Sequence, residues 1–122
     1  MITTSTLCLA LAIYWEARNQ PIEGQLAVAD VVLNRVADKR FPNSECEVVY
    51  DHKQFSFFWD GKSDTPLEEA AWEKAQALAS VAVLTPGITK GATHYHADYV
   101  SPFWSVCLKP VKVIGNHVFF RL

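Results

Sequence analysis

The chain has 122 residues, enough for one domain around one hydrophobic core. Half of it is hydrophobic and a fifth is charged, which excludes a disordered or fibrous protein. A net charge of -2 and a pI near 6.0 leave no basic footprint for duplex nucleic acid.

The chain opens on "MITTSTLCLALAIYWEARN", in which every residue from Leu7 to Trp15 is apolar and the next is Glu16. No basic segment precedes the run, no small-residue cleavage site follows it, and it is too short to span a bilayer. A buried helix is expected, capped by Thr or Ser among residues 3 to 5 and ending near Arg18. Its apolar residues lie on all faces, so most of its sides should be covered. On this reading the chain is made in the cytoplasm and has no export signal of its own. Asn19, Gln20 and Pro21 break the helix, and Pro21 suits the first turn of a second one. There Ile22, Leu26, Ala29, Leu33 and Val36 fall at helical spacing, with Glu23, Asp30 and Asn34 among the polar positions. So short a break packs the two helices together and sets Glu16 at their junction, facing a cleft.

Residues 40 to 65 read as irregular chain with short extended pieces, and "QFSFFWDG" within them gathers four aromatics without a period. "TPLEEAAWEKAQALASVAVLTPG" predicts a helix with Thr65 as cap, Pro66 at its start and Glu68 closing a capping box. Pro86 and Gly87 should end it. Beyond this point the pattern changes: "ATHYHADYV" alternates as a strand does, and "VKVIGNHVFF" reads as a hairpin turning at Gly115–Asn116. Helices first and strands after predict a single α+β domain over residues 1 to 122, with a small antiparallel sheet. Charge is uneven along it. Residues 41 to 85 carry three basic and eight acidic side chains, residues 86 to 122 four basic and one acidic. A mildly basic last third suits an anionic polymer, or is simply a solvated surface.

Three cysteines do not make a disulfide framework. Cys8 is expected to pack in the core. Cys46 and Cys107 could pair, but free thiols are expected of a cytosolic product.

Chemistry points first to Glu16. A carboxyl at the end of an apolar helix, beside Tyr14, Trp15 and Ala17, should be desolvated, which favours its protonated form. A protonated carboxyl is what general-acid cleavage of a glycoside requires. The plainer alternatives are neutralisation by Arg18 or a cap on the next helix. In "GATHYHADYVSPFW", His94, His96 and Asp98 would share one strand face, Tyr95 and Tyr99 the other. With His52 or His117 such a set could hold a metal, or it is a polar strand face lined with aromatics. The mixture of aromatics with His, Asn, Gln and Asp in "QFSFFW", "YHADYVSPFW" and "GNHVFF" also suits sugar rings and their N-acetyl groups. No GxSxG elbow, GxGxxG loop or Walker loop is present, so those chemistries fall away.

Four segments in order, "IYWEARNQPIEGQLAVADVVLNRV", "FPNSECEVVYDHKQFSF", "GATHYHADYVSPFW" and "IGNHVFFR", resemble the cell-wall hydrolases of the spore-cortex-lytic, SleB-like family. They cover roughly residues 12 to 121. The resemblance implies a lysozyme-like or lytic-transglycosylase-like fold acting on peptidoglycan glycan strands. It also places the family's catalytic glutamate, in its (Y/W)-E-A-R motif, at Glu16. A transglycosylase needs that one carboxyl alone. A hydrolytic muramidase needs a second, about 5 to 9.5 Å away, for which Asp98, Asp60 and Glu23 are candidates. The transglycosylase is preferred, with no cofactor and no metal. Gln54, Tyr95, His96, Tyr99, His117 and Trp104 are expected to bind or orient the sugars, with Phe103 as another stacking ring. On this reading the chain departs from the family in lacking a signal peptide and wall-binding repeats. That departure suggests a phage endolysin, monomeric, held in the host cytoplasm until lysis and then acting on the periplasm and wall; an excised domain of a larger bacterial protein is the alternative. The rivals are a zinc amidase or peptidase on His94, His96 and His117, and a non-catalytic wall-binding module.

Overall fold

In a computed structural model, residues 2–51 and 66–122 are described. Helix α1 runs Thr4–Ala17, α2 Ile22–Ala37, α3 Glu45–Tyr50 and α4 Glu69–Ala82; strands β1 (His94–Ala97), β2 (Lys112–Ile114) and β3 (His117–Phe120) follow. The order of helices then strands is the expected α+β arrangement. The sheet is antiparallel with β3 central, between β1 and β2.

The all-round apolar surface of α1 has a simple cause: α2, α3 and α4 all pack against it. Leu9, Ala10, Ala12 and Ile13 of α1 are fully buried there, against Val49 of α3 and Ala75 and Ala79 of α4. A second cluster lies behind α2, where Ala27 and Val31 meet Ile114 and Phe119 of the sheet. Thus α2 sits between the helices and the sheet. Asp30 and Asn34, which interrupt its apolar pattern, turn inward rather than to water. Asp30 Oδ2 accepts from the Thr89 amide at 3.0 Å and from the Thr89 hydroxyl, and the Asn34 amide donates to the Ala92 carbonyl at 2.8 Å. Buried Arg35 donates to the Thr93 carbonyl at 2.6 Å. These bonds satisfy a loop that would otherwise bury unpaired backbone groups, and they fix where β1 begins.

Thr3 caps α1 as expected, its hydroxyl accepting from the Thr6 amide at 3.1 Å. Three expectations need correction. Residues 45–50 are a helix, not irregular chain, started by Ser44, whose hydroxyl accepts from the Glu47 amide at 3.2 Å and donates to the Glu47 carboxylate at 3.0 Å. Helix α4 starts at Glu69 and ends at Ala82, so Pro66 and Glu68 precede it; Thr65 lies outside the described residues. Instead of a local capping box, the Tyr14 hydroxyl accepts from the Leu67 and Glu68 amides at 3.1 and 2.9 Å. Finally, Cys8 and Cys46 form a disulfide, with Cα atoms 5.1 Å apart, where α3 packs on α1. Cys107 is the free, exposed thiol. No described helix is long and apolar enough to cross a membrane.

Candidate active site

Glu16 occupies the last turn of α1, half-buried, on the wall of a cleft of about 480 Å³. Its carboxyl is held from the sheet: the Tyr95 hydroxyl donates to Oε1 at 2.8 Å. Burial first, then the charge of Glu16 and this bond, push the Tyr95 phenol well above its ordinary pKa. Tyr95 therefore keeps its proton and remains a donor.

The opposite wall comes from the β2–β3 hairpin, and Gln20 fixes its distance. Gln20 is buried at the α1–α2 junction, and its Oε1 accepts from the Asn116 amide at 2.9 Å. Gly115 makes this approach possible. Its φ is +56°, and a Cβ there would stand 2.4 Å from Gln20 Oε1. The turn thus brings Asn116 and His117 to the cleft beside Glu16.

His117 is 7% exposed, and its ring lies 5.0 Å from that of Tyr95. Burial lowers its pKa below the ordinary value, against the opposing charge of Asp98. Arg18 does not neutralise Glu16 as its salt-bridge partner; its Nε donates to Glu68, which also lines the cleft. Arg18 lies over the rings of Tyr14 and Trp15, 4.8 and 5.3 Å from their centres.

The expected site residues divide between the two faces of β1. Tyr95 and His117 share the face toward Glu16, and Tyr99, 85% exposed just past the strand, lines the cleft. His94 and His96 share the other face with Trp104, whose ring lies 5.4 and 5.8 Å from theirs, and His96 stacks on Phe120. His96 and Trp104 are therefore not brought to the Glu16 cleft. Phe103 is 96% exposed, on a short 3-10 turn. Glu23 is exposed at the start of α2 and does not line the cleft, nor does Asp98. Gln54, His52 and Asp60 lie outside the described residues. The split also separates His94 and His96 from His117, and among the described residues no group of three His, Cys, Asp or Glu could hold a metal ion.

Sequence reading missed Gln20, Asn116 and Glu68 as cleft residues. Asn116 was visible only as a turn residue, Gln20 as a helix break and Glu68 as a cap. Each gains its place from a contact distant in sequence.

Residues 19–120 match the family model for cell wall hydrolases. The spore cortex-lytic enzyme of Bacillus cereus is 34% identical over 114 residues, covering 93% of this chain and 42% of that protein. The spore cortex-lytic enzyme of Bacillus subtilis is 33% identical over 111 residues, covering 91% and 35%. The chain spans about two fifths or less of these relatives. Among solved structures, the catalytic domain of the Bacillus cereus SleB protein superposes with a TM-score of 0.80 at 31% identity, over 98% of this chain and 91% of that one. The catalytic domain of the germination-specific lytic transglycosylase SleB from Bacillus anthracis gives 0.80 at 32% identity, over 96% and 94%. A polar cleft walled by the end of α1 and a β-hairpin, on this fold, places the chain in an enzyme family: it belongs to the cell wall hydrolases and has the fold of the SleB catalytic domain.

Proposed function

We propose that this domain cleaves peptidoglycan glycan strands at the β-1,4 bond between N-acetylmuramic acid and N-acetylglucosamine, as a lytic transglycosylase. Glu16 gives its proton to the glycosidic oxygen as the bond to the muramic C1 breaks. The resulting carboxylate takes a proton from the muramic 6-hydroxyl, whose oxygen closes on C1 as a 1,6-anhydro ring. Glu16 ends protonated, and no water is consumed. The observation that carries this reading is the 2.8 Å bond by which Tyr95 holds Glu16, a residue of the cleft wall, and so orients one carboxyl for both transfers. Glu68, another carboxylate on the cleft wall, is paired with Arg18. Tyr99 and His117 are the sugar contacts in this reading, with Tyr95 orienting Glu16. Digestion of purified peptidoglycan with EDTA present, followed by mass spectrometry, tests it. Anhydromuramic ends, about 18 Da lighter than hydrolysed ends by the one water not added, are expected. Reducing muramic ends would make it a muramidase, and free peptides an amidase.

We also propose that the domain works in bacterial lysis, as a monomer, reaching the wall from the host cytoplasm once the membrane is opened. The Cys8–Cys46 disulfide supports work at the wall, outside the cytoplasm, and not the cytoplasmic stage, in which the two thiols would stand reduced until release. Induced expression should leave cells intact until a membrane-permeabilising agent is added. Lysis without the agent would contradict this.

A further inference from the structure

His117 has two ring nitrogens in unlike surroundings. Nδ1 is sealed from solvent without a hydrogen-bond partner, whereas Nε2 is not orphaned in this way. The ring is held between aromatic neighbours, 5.0 Å from Tyr95 and 6.2 Å from Phe119, so it has little freedom to turn over. A neutral imidazole carries one N–H. Placed on Nδ1, that donor would be buried and unmet, the rarer and costlier form of unsatisfied group. Placed on Nε2, it belongs to the ring's other side, and His117 lines the cleft, where water or a ligand can meet it. The fold therefore selects the Nε2–H tautomer before any substrate arrives. Burial keeps the ring neutral at pH 7, against Asp98, which pulls the other way, and with His96, which adds to it.

We infer that His117 is a specificity-determining residue whose Nε2–H donates to the acetamido carbonyl oxygen of an N-acetylated sugar in the cleft. This rests on the reading of the cleft as a glycan site. Sugar hydroxyls rotate to donate or accept, so they place no demand on the tautomer. A carbonyl only accepts, and a donor fixed in advance is matched to it.

Long-range proton–nitrogen correlation spectra of the unliganded wild type test the first half directly. They should show the proton on Nε2 of His117; a proton on Nδ1 would overturn the inference without any variant being made. The second half is tested by titrating Glu16→Gln, which binds without turnover, with a soluble N-acetylglucosamine tetramer and with its deacetylated counterpart. The acetylated probe should shift the His117 Nε2–H signal and bind about 10-fold more tightly, the worth of one hydrogen bond. Adding His117→Phe, which keeps a ring against Tyr95, should erase that preference, while His117→Gln should restore part of it. A preference that survives in His117→Phe would overturn the inference. Failure of the cleavage reading would show separately, as wild-type protein that leaves peptidoglycan uncut while still preferring the acetylated probe.

Discussion

The Tyr95 hydroxyl donates a 2.8 Å hydrogen bond to Oε1 of Glu16, joining the middle of the edge strand β1 to the last turn of α1. Tyr95→Phe removes that bond but keeps the ring against His117 and Phe119. A hydrogen bond to a charged group is worth about 1.5–3 kcal/mol, so kcat on peptidoglycan should fall about 10- to 100-fold. KM and the circular dichroism spectrum should hardly change. A variant with full kcat would remove Tyr95 from the orientation of Glu16.

Gly115 and Gln20 together set the width of the cleft. Gly115→Ala forces a side chain into a left-handed turn and toward Gln20 Oε1. A loss of about 1–3 kcal/mol in urea unfolding is expected. Adding Gln20→Ala removes the clash but leaves the backbone strain, so the double variant should lose less than the sum of the single ones. Strict additivity would mean that the two residues do not meet.

The Cys8–Cys46 bond closes a loop with a sequence separation of 38 residues. Loop-closure entropy gives it about 4 kcal/mol. In a Cys107→Ser background, which avoids thiol exchange, reductant or Cys46→Ser should lower the urea midpoint accordingly. An unchanged midpoint would show the thiols unpaired in solution.

His94 supplies a pH dependence. Burial first, then the positive charges of Arg35 and Arg40, push its pKa down to about 4 from 6.5. Between those values the unfolded chain binds the proton and the folded one does not. Stability is therefore full above about pH 6.5 and is lost as pH falls toward 4. Unfolding midpoints compared at pH 7 and pH 4.5 should fall further for wild type than for His94→Gln. Equal falls would place the acid sensitivity elsewhere.

The elements read from sequence are those whose signals are local. The apolar run from Leu7 to Trp15 announced α1, the spacing from Ile22 to Val36 announced α2, and Gly115–Asn116 announced the hairpin. Helix α3 also carried a local signal, Ser44 with Glu47 three residues on, but six residues are too few to show a helical period. The start of α4 differs from the sequence expectation because the amides of Leu67 and Glu68, just before it, are met by Tyr14, more than fifty residues away. Alternation in "THYHA" showed which residues share a strand face, but not which face meets Glu16. That choice depends on how the sheet packs on α2, so His96 and Trp104 were grouped with Tyr95. The disulfide was hidden for the same reason: nothing near Cys8 announces that α3 lies against it.

Everything proposed for the cleft turns on the Glu16 carboxyl. Wild type and Glu16→Gln should be compared for release of soluble fragments from purified peptidoglycan and, in parallel, for sedimentation with it. The variant should sediment as wild type does and release nothing above background. Release that persists in Glu16→Gln would contradict this, and the chemistry would have to be sought in another residue.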